Sequence, residues 1–317
     1  MKKILIFISC FFLIIFLLDR SINFAFEKYI FSKTFSGESG GNTNYLFQKK
    51  KNSKFIILGS SRAKNMINTS LLTSFNGEGY NAGINGVGGI LYMNALVDLM
   101  IHKKINPEYI ILQTDERDYR YKKINTYRTQ ITPLYPYLSE SNVLQDYANS
   151  LGYEEKLKLQ LKLYRFNGKF YNVLTNYLKK GKVKEPNGYS PIQGVMKKEN
   201  DINESEEIDL HPQFDSIKLD ALKTIINVCN DKKIKLFIVF PTSYNNGMYK
   251  EQQLNKLIDL IMQQPQVDII NMADVNKFQD LQDHSNWKDG AHLNSSGADK
   301  FTQYLNDSVK IKLSRIH

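Results

Sequence analysis

Short apolar runs that alternate with amphipathic helical patterns constrain this chain more than any other feature. The apolar runs predict buried strands at Phe55–Leu58, Glu108–Thr114, Ile234–Pro241 and Val267–Met272. Apolar residues at helical spacing predict helices at Gly89–Lys104, Phe214–Lys233, Glu251–Gln264 and Ser296–Val309. Continuous apolar strands between amphipathic helices are typical of a parallel sheet that is covered on both faces. We therefore expect an α/β fold with three layers, α/β/α, around a mainly parallel sheet.

The N-terminus carries a separate signal. An uncharged apolar run, Ile4–Leu18, follows two lysines and ends at Asp19. Such a run is typical of a secretory signal or a signal anchor. It is shorter than the roughly 20 residues of a typical spanning helix, and no small-x-small cleavage site follows it. We expect residues 1–22 to form an uncleaved membrane anchor with the body outside the cytoplasm, in the periplasm or at the cell surface. A buried N-terminal helix is the alternative.

Composition shifts divide the rest of the chain. Residues 23–50 include a stretch rich in Gly, Ser and Asn and are predicted to be a flexible tether. Residues 51–317 then form the α/β domain, which an insertion at about 120–212 interrupts. Within the insertion, Lys156–Lys184 is lysine-rich and has no acidic residue. Its leucines fit both a strand and a helix pattern, and we favour a mostly helical insertion.

Charge and cysteine content limit the classes of partner. The net charge is +10, which favours anionic partners such as nucleic acid, anionic polymers or a lipid surface. An anchor would place the body on the wrong side of the membrane for nucleic acid, and no recognition motif occurs, so we expect no nucleic-acid partner. Cys10 and Cys229 do not make a disulfide framework. No His/Cys spacing is typical of zinc, so we expect neither a metal nor a cofactor.

The first predicted strand ends in Gly59-Ser60-Ser61-Arg62. In an open parallel sheet, ligands bind beyond the carboxyl ends of the strands. A serine at the start of a helix lies beside free backbone N–H groups, which can hold a developing oxyanion. Serine is also a favoured N-cap, so this motif alone fits either a nucleophile or a plain helix start.

A glycine-rich loop, Tyr80–Gly89, follows about twenty residues later. Its glycines superficially resemble a dinucleotide-binding loop, but their spacing is wrong and no suitable strand precedes them. The loop fits better as a donor of a backbone N–H to an oxyanion beside the first serine, and a plain turn is the alternative.

A third motif, Asp289-Gly290-Ala291-His292, precedes the last predicted helix. A carboxylate three residues before a histidine in a turn can orient the imidazole. His292 would then take a proton from serine, and Asp289 would stabilise the imidazolium. A polar loop without catalytic residues is the alternative.

Together, these three motifs resemble those of the SGNH (GDSL-like) hydrolase superfamily, in particular its membrane-tethered branches that act in the cell envelope. "GSSR" is similar to the first block, which implies Ser61 as nucleophile and oxyanion donor. "NAGING" is similar to the second, which implies Gly83 as a backbone donor. "DGAHLN" is similar to the last, which implies Asp289 and His292. The resemblance implies a flavodoxin-like, SGNH-type sheet, and it covers the chain from Lys51 onward apart from the insertion.

One block departs from the family pattern. The third motif of the family ends a strand with Gly-x-Asn-Asp, and its Asn donates to the oxyanion. Here the strand ends in "ILQTDERD", with Asp115 about where the Asn is expected. An ionised carboxylate cannot donate a hydrogen bond. Gln113, Thr114 or Asn85 are candidate substitutes.

The sequence thus predicts a serine acyl-ester hydrolase or O-acyltransferase with Ser61, His292 and Asp289 as its catalytic residues. An anchored enzyme outside the cytoplasm would meet O-acylated glycan or another envelope polymer, and a membrane acyltransferase is a candidate partner. The alternative is a non-catalytic, SGNH-like module that binds glycan or serves as a scaffold in an envelope machine.

Overall fold

The structure is a computed structural model, and it describes residues 1–86, 89–121, 124–179, 183, 185–197, 213–246 and 250–315. The chain forms two compact units. The helical unit comprises Met1–Lys49 and Lys123–Lys184, and the α/β unit comprises Lys50–Lys122 and Glu185–His317. Parts of the predicted insertion and of the glycine-rich loop lie outside the described residues.

The described residues form five strands and eleven α-helices. The strands are β1 Phe55–Leu58, β2 Gly79–Asn81, β3 Tyr109–Gln113, β4 Lys235–Phe240 and β5 Val267–Asn271. The helices are α1 Lys2–Tyr29, α2 Gly41–Lys49, α3 Ser61–Met66, α4 Ile90–His102, α5 Ile124–Ile131, α6 Asn142–Ser150, α7 Tyr153–Lys158, α8 Phe170–Leu178, α9 Ser216–Asp231, α10 Glu251–Met262 and α11 Ser295–Leu313.

The α/β unit is built on one parallel sheet with the strand order β2-β1-β3-β4-β5. The register pairs Ile57 of β1 with Ile111 of β3, and Ile111 with Phe237 of β4. This is the flavodoxin-like order, in which the chain reverses direction across the sheet between β1 and β3. The α/β prediction is confirmed, and β2, which is three residues long, is an additional strand that the apolar pattern does not reveal.

Alternate strand residues face opposite sides of the sheet, and each side is covered by helices. On one side, Phe55, Ile57 and Phe237 share a buried core with Ala63 of α3 and Phe301 of α11. The intervening strand residues are also buried, and α4 and α9, which pack against each other, cover that second side. The unit therefore has the three predicted layers.

The helical unit has an aromatic core. Phe166 is fully buried and its ring lies 4.9 Å from Phe26 and 5.0 Å from Phe31. The ring of Tyr137 lies 5.6 Å from Phe31 and 5.3 Å from Phe47. Residues from α1, α2 and the 123–184 segment thus share one core.

The structure of residues 23–50 differs from the predicted flexible tether. Helix α1 continues to Tyr29, and α2 buries Leu46 and Phe47. The Asn44 side chain donates to the carbonyl of Phe31 at 2.6 Å. The glycines that indicated flexibility permit close packing instead: a Cβ on Gly41 would lie 2.0 Å from the carbonyl oxygen of Ser36.

Helix α1 is long and apolar enough to cross a membrane. All residues from Met1 to Leu18 are exposed, and the burial of side chains begins at Asp19. By length and composition, the segment is a candidate membrane anchor or signal sequence.

Candidate active site

Ser61 is the first residue of α3, directly after the carboxyl end of β1. Gly59 forms the tight junction between them: a Cβ there would lie 2.6 Å from the Cβ of Ala63 and 2.7 Å from Oε1 of Gln113. Ser60 is the N-cap, and its hydroxyl oxygen accepts from the N–H of Arg62 at 3.3 Å. The two serines therefore have different positions, because the side chain of Ser60 closes the helix start and leaves that of Ser61 to face outward.

Gln113, at the end of β3, fixes this junction. Its Oε1 accepts from the backbone N–H of Ser60 at 3.1 Å, from the Ser60 hydroxyl at 3.0 Å and from the N–H of Ala63 at 3.1 Å. Three donors on one oxygen define the orientation of the amide. Gln113 thus joins β3 to the first turn of α3 and supports the position of Ser61.

The predicted serine, histidine and aspartate lie together. The Ser61 Oγ is 2.8 Å from Nε2 of His292. On the opposite side of the ring, Nδ1 of His292 is 3.0 Å from Oδ1 and 3.1 Å from Oδ2 of Asp289. A proton on Nδ1 directed at the carboxylate leaves Nε2 as an acceptor for the serine hydroxyl.

Asp289 is oriented by its own turn. Its Oδ1 accepts from the backbone N–H groups of Ala291 and His292, both at 2.8 Å. Partial burial by itself raises the pKa of Asp289, but its hydrogen bonds and the nearby imidazole outweigh burial and hold the pKa below the usual value. The carboxylate is therefore ionised at neutral pH while its side chain stays 49% exposed.

A buried tryptophan holds the loop that carries His292. Trp287 is fully buried and its indole N–H donates to the carbonyl of Leu281 at 2.6 Å. The backbone N–H of Lys288 donates to the carbonyl of His292 at 2.9 Å, which closes the turn. Asn294 then caps α11 by accepting from the N–H of Gly297 at 3.1 Å. These contacts fix the imidazole relative to the sheet.

The residues expected to stabilise an oxyanion have different surroundings. The backbone N–H of Ser61 has no hydrogen-bond partner among the described residues. The N–H of Gly83 instead donates to Oδ1 of Asn81 at 3.0 Å, so the expected backbone donor is already engaged here. Asn85 accepts from the side chain of Asn65 at 3.2 Å, which leaves its own amide N–H groups as candidate donors.

Asp115 lies where the family pattern has an asparagine, and its role here differs. Its Oδ2 is 3.1 Å from Nη1 of Arg62, and both side chains are almost completely buried. The same guanidinium donates through Nη2 to the carbonyl oxygens of Pro241 and Thr242, which follow β4. Arg62, the residue that follows Ser61, therefore links the ends of β1, β3 and β4.

Burial by itself raises the pKa of Asp115. The guanidinium groups of Arg117 and Arg62 outweigh burial and hold the pKa below its usual value. The sequence identified Asp115 as a departure but gave no sign of its pairing with Arg62, because the two residues are 53 positions apart. Nor does the sequence show that Arg62 is buried, because α3 has only six residues and is too short to display a clear apolar side.

A segment that sequence reasoning did not single out, residues 185–197, runs along the site. We call it the strap. It accepts from the N–H of Asn81 and donates to the carbonyl of Lys64, on the side of α3. It also donates to the carbonyl of Trp287 and accepts from the N–H of Ser295, on the side of the His292 loop. The strap thus connects the elements that carry Ser61 and His292.

Among the described residues, no three His, Cys, Asp or Glu side chains are arranged to hold a metal ion. The polar groups that meet beside Ser61 are its hydroxyl, the His292 imidazole, the Asp289 carboxylate and nearby N–H donors.

Neither a protein-family model nor a curated protein matches the chain. Among solved structures, the chain is similar to a GDSL-like lipase from Bacteroides thetaiotaomicron VPI-5482, at 8% sequence identity and a TM-score of 0.38. The similarity covers 86% of this chain and 99% of that chain.

Proposed function

We propose that the α/β unit is a serine-dependent enzyme that transfers an acyl group from an ester. The observation that carries this proposal is the continuous path of two hydrogen bonds, 2.8 Å from the Ser61 Oγ to Nε2 of His292 and 3.0 Å from Nδ1 of His292 to Asp289. Such a path is the arrangement that activates a weak hydroxyl nucleophile. The resemblance of the three sequence blocks to SGNH hydrolases supports the same assignment.

The reaction would proceed in two halves. In the first, the Ser61 Oγ attacks the ester carbonyl carbon while its proton passes to Nε2 of His292. Collapse of the tetrahedral intermediate breaks the bond to the leaving alkoxide, which takes that proton from His292. In the second half, an acceptor hydroxyl gives its proton to His292 and attacks the acyl carbon. The bond from that carbon to the Ser61 Oγ then breaks, and the Oγ takes the proton back from His292, which restores the free enzyme. Asp289 stays ionised and stabilises the imidazolium that forms in each half.

The developing oxyanion requires donors beside Ser61. The free backbone N–H of Ser61 and the amide of Asn85 are the candidates, since the N–H of Gly83 is engaged with Asn81. Donors of this kind contribute roughly 3–4 kcal/mol each to the stability of a transition state.

The acceptor decides the outcome of the reaction. With water the enzyme is an esterase, and with a sugar or polymer hydroxyl it is an O-acyltransferase. We propose O-acylated envelope polysaccharide or a similar polymer as the substrate class, because an anchored chain outside the cytoplasm meets such polymers. A membrane acyltransferase is a candidate partner, as a source of acyl groups at the same membrane.

We also propose that α1 is a retained anchor and that the body faces the outside of the cytoplasm. Asp19 and Asn23 are buried in the helical unit, so a cut several residues past the apolar run, where a signal peptide has its cleavage site, would remove part of that core. Two lysines before the apolar run favour a cytoplasmic N-terminus.

The test uses the full chain in detergent, because residues from α1 belong to the core of the helical unit. Wild type, Ser61→Ala and Ser60→Ala are compared by labelling with a fluorophosphonate probe and by acetate release from an aryl acetate and from an acetylated glycan. We expect Ser61→Ala to lose labelling and to fall by about 10⁴-fold or more in rate. Ser60→Ala should retain both.

Two results would overturn the assignment. Loss of labelling and rate in Ser60→Ala alone would make Ser60 the nucleophile. Equal, slow rates in all three proteins and no labelling would favour the alternative, a non-catalytic module that binds glycan or serves as a scaffold.

A further inference from the structure

The apolar run at the N-terminus is too short by itself for a bilayer. Ile4–Leu18 has about 15 residues, which extend roughly 22 Å at about 1.5 Å per residue in a helix. The hydrocarbon core of a bilayer is about 30 Å thick. If α1 crosses a membrane, as proposed above, residues beyond Leu18 span the remaining hydrocarbon, which is roughly 8 Å thick.

Asp19, which ends the apolar run in the sequence, does not face outward. Its side chain is only 5% exposed. Its carboxylate accepts from the backbone N–H groups of Lys162 and Leu163, both at 2.9 Å, and pairs with Arg20 at 3.0 Å. A carboxylate that is satisfied in this way inside the protein is compatible with a position at the depth of the lipid. The charge therefore does not mark where the membrane ends.

Apolar side chains remain exposed on α1 past Asp19, beside the exposed Ser21 and the partly exposed Arg20. Ile22 and Phe24 are half-exposed or more, whereas Asn23 and Phe26 on the other side are buried. The ammonium group of Lys28 lies 5.3 Å from the Phe24 ring. Aromatic residues beside basic ones are typical of the membrane–water boundary. Phe24 is six residues beyond Leu18, about 9 Å along the helix, which is close to the missing length.

The helical unit has a second exposed apolar surface, outside α1. We call it the apolar face, and it consists of Leu157, Leu161, Phe170, Tyr171, Leu174 and Leu178. Its last four members form one stripe along α8, since residues three to four positions apart share a side of a helix. Leu178 is 65% exposed, although its neighbour on the other side of α8, Val173, is buried.

Two contacts fix the apolar face relative to α1. Lys162, next to Leu161, donates its N–H to Asp19 at the end of the apolar run. Phe170, the first residue of α8, has its ring 4.3 Å from that of Phe26. The middle of the face, from Leu161 to Phe170, is thus joined to the part of α1 that lies just beyond Leu18.

The charged side chains beside the apolar face are mostly lysines, and the exposed Glu154 pairs with Lys158 at 3.5 Å. Lys156, Lys158 and Lys179 are exposed, and residues 156–184 contain no acidic side chain. Exposed apolar residues flanked by lysines are typical of a helix that lies in the boundary between headgroups and acyl chains, especially of anionic lipids.

We propose that the apolar face lies in the outer headgroup–hydrocarbon boundary of the membrane that α1 crosses, with the lysines at the level of anionic headgroups. The continuity of the face with α1 favours lipid over a glycan, because a glycan does not require six exposed apolar side chains beside a membrane span. The helical unit is then a part of the membrane attachment and not an extension into the aqueous space. This proposal rests on the proposed membrane span of α1.

The test measures the depth of single tryptophan reporters in the full chain. Leu161→Trp and Leu174→Trp report on the apolar face, Phe12→Trp reports on the span, and Met262→Trp on α10 is the exposed apolar control. Each protein is reconstituted in phosphatidylcholine–phosphatidylglycerol vesicles, with and without bromine on the acyl chains. Trp287 is fully buried, so it adds the same unquenched background to all four variants.

We expect bromine to remove the larger part of the reporter emission of Phe12→Trp, Leu161→Trp and Leu174→Trp, and to leave Met262→Trp unchanged. If Phe12→Trp is quenched but either reporter on the face is not, the span stands and this proposal fails. If Phe12→Trp is not quenched, both fail together.

Other occupants of the face would give different spectra. A blue-shifted but unquenched emission from Leu161→Trp and Leu174→Trp would mean that a second copy or another protein covers the face. A shift that appears only when polygalacturonate is added would mean that an anionic glycan binds there. Either result overturns the proposal.

Discussion

Two carboxylates of the α/β unit, one in the loop before α11 and one at the end of β3, have opposite surroundings. Asp289 is half-exposed and faces the imidazole of His292, whose charge changes when it takes a proton. Asp115 is buried against the guanidinium of Arg62, whose charge is permanent. Burial raises the pKa of each carboxyl, and neighbouring groups more than reverse that effect in both.

The two carboxylates differ in whether the charge of the neighbouring group can change. A carboxylate beside a titratable imidazole can stabilise a charge that appears and disappears during a reaction. A carboxylate beside a guanidinium holds a fixed charge in place, and Arg62 in turn donates to the carbonyls that follow β4. The first pair is suited to catalysis, and the second to the geometry on which catalysis depends.

The largest expected effect is that of Asp289→Asn on activity. The amide cannot stabilise the imidazolium, and it favours the wrong tautomer of His292, so we expect the rate of ester cleavage to fall by about 10⁴-fold. The measurement is kcat for an aryl acetate. Unfolding by urea is the control, and the free energy of unfolding should change by less than about 1 kcal/mol, since the side chain is half-exposed. A large loss of stability with little loss of rate would remove the distinction between the two carboxylates.

Arg62→Met should act on stability first. It removes one guanidinium beside the buried Asp115 and leaves that of Arg117, whose Nε is 3.5 Å from Oδ1. Breaking a buried pair costs about 3–5 kcal/mol. Urea unfolding measures this loss. The double variant Arg62→Met/Asp115→Asn removes both charges, and we expect it to recover more than half of the loss. If the single and double variants are equally unstable, the ion pair is not what stabilises the strand ends.

A third carboxylate, Asp118, sharpens the comparison because it has no strong cationic partner. Burial and the Asp115 charge raise the pKa of Asp118 to about 6. Since folding raises this pKa, the group favours the folded state below about pH 4 and loses that contribution as the pH rises through about 6.

The variant Asp118→Asn cannot ionise, so it should lose less stability than wild type between pH 4.5 and pH 8. The difference between the two proteins should reach about 1–3 kcal/mol. It is measured by urea unfolding at both pH values. A variant whose stability changes with pH as much as that of wild type would show that Asp118 does not titrate in this range.

The smallest expected effect is that of Ser60→Ala. Loss of the N-cap hydroxyl should cost about 1 kcal/mol of stability and leave the rate within a few-fold of wild type. Thermal unfolding and aryl acetate hydrolysis measure the two quantities. A larger loss of rate than of stability would mean that the Ser60 hydroxyl takes part in the reaction as well as in the helix cap.

Much of the α/β unit could be predicted from hydrophobic pattern. The predicted strand Phe55–Leu58 has the same bounds in the structure, and the predicted strand Glu108–Thr114 is one residue longer at each end than β3. These strands are buried on both faces, so their sequence is uniformly apolar. β2 was not predicted because it consists of Gly79, Tyr80 and Asn81, which carry no strand pattern.

The site was predictable where its residues are close in sequence or at a strand end. Asp289 and His292 share one turn, and Ser61 follows the first strand. Arg62 was not predictable as a partner of Asp115, because that contact depends on the strand order. The engagement of Gly83 by Asn81 depends on side-chain placement within a loop, which the spacing of glycines does not determine.

The packing of residues 19–49 has a consequence for how far an anchored helical unit can travel. If residues 23–50 were a flexible tether, its two ends would be roughly 30 Å apart on average. The attached unit could then meet a partner in the same membrane anywhere within that radius. Helix α1 is continuous to Tyr29, and its Phe26 packs against Phe166 and Phe170, so α1 is a rigid connection to the helical unit. If α1 anchors the chain as proposed, the helical unit would be confined to a thin layer at the bilayer, and its encounters with a partner in the same membrane would be a search in two dimensions.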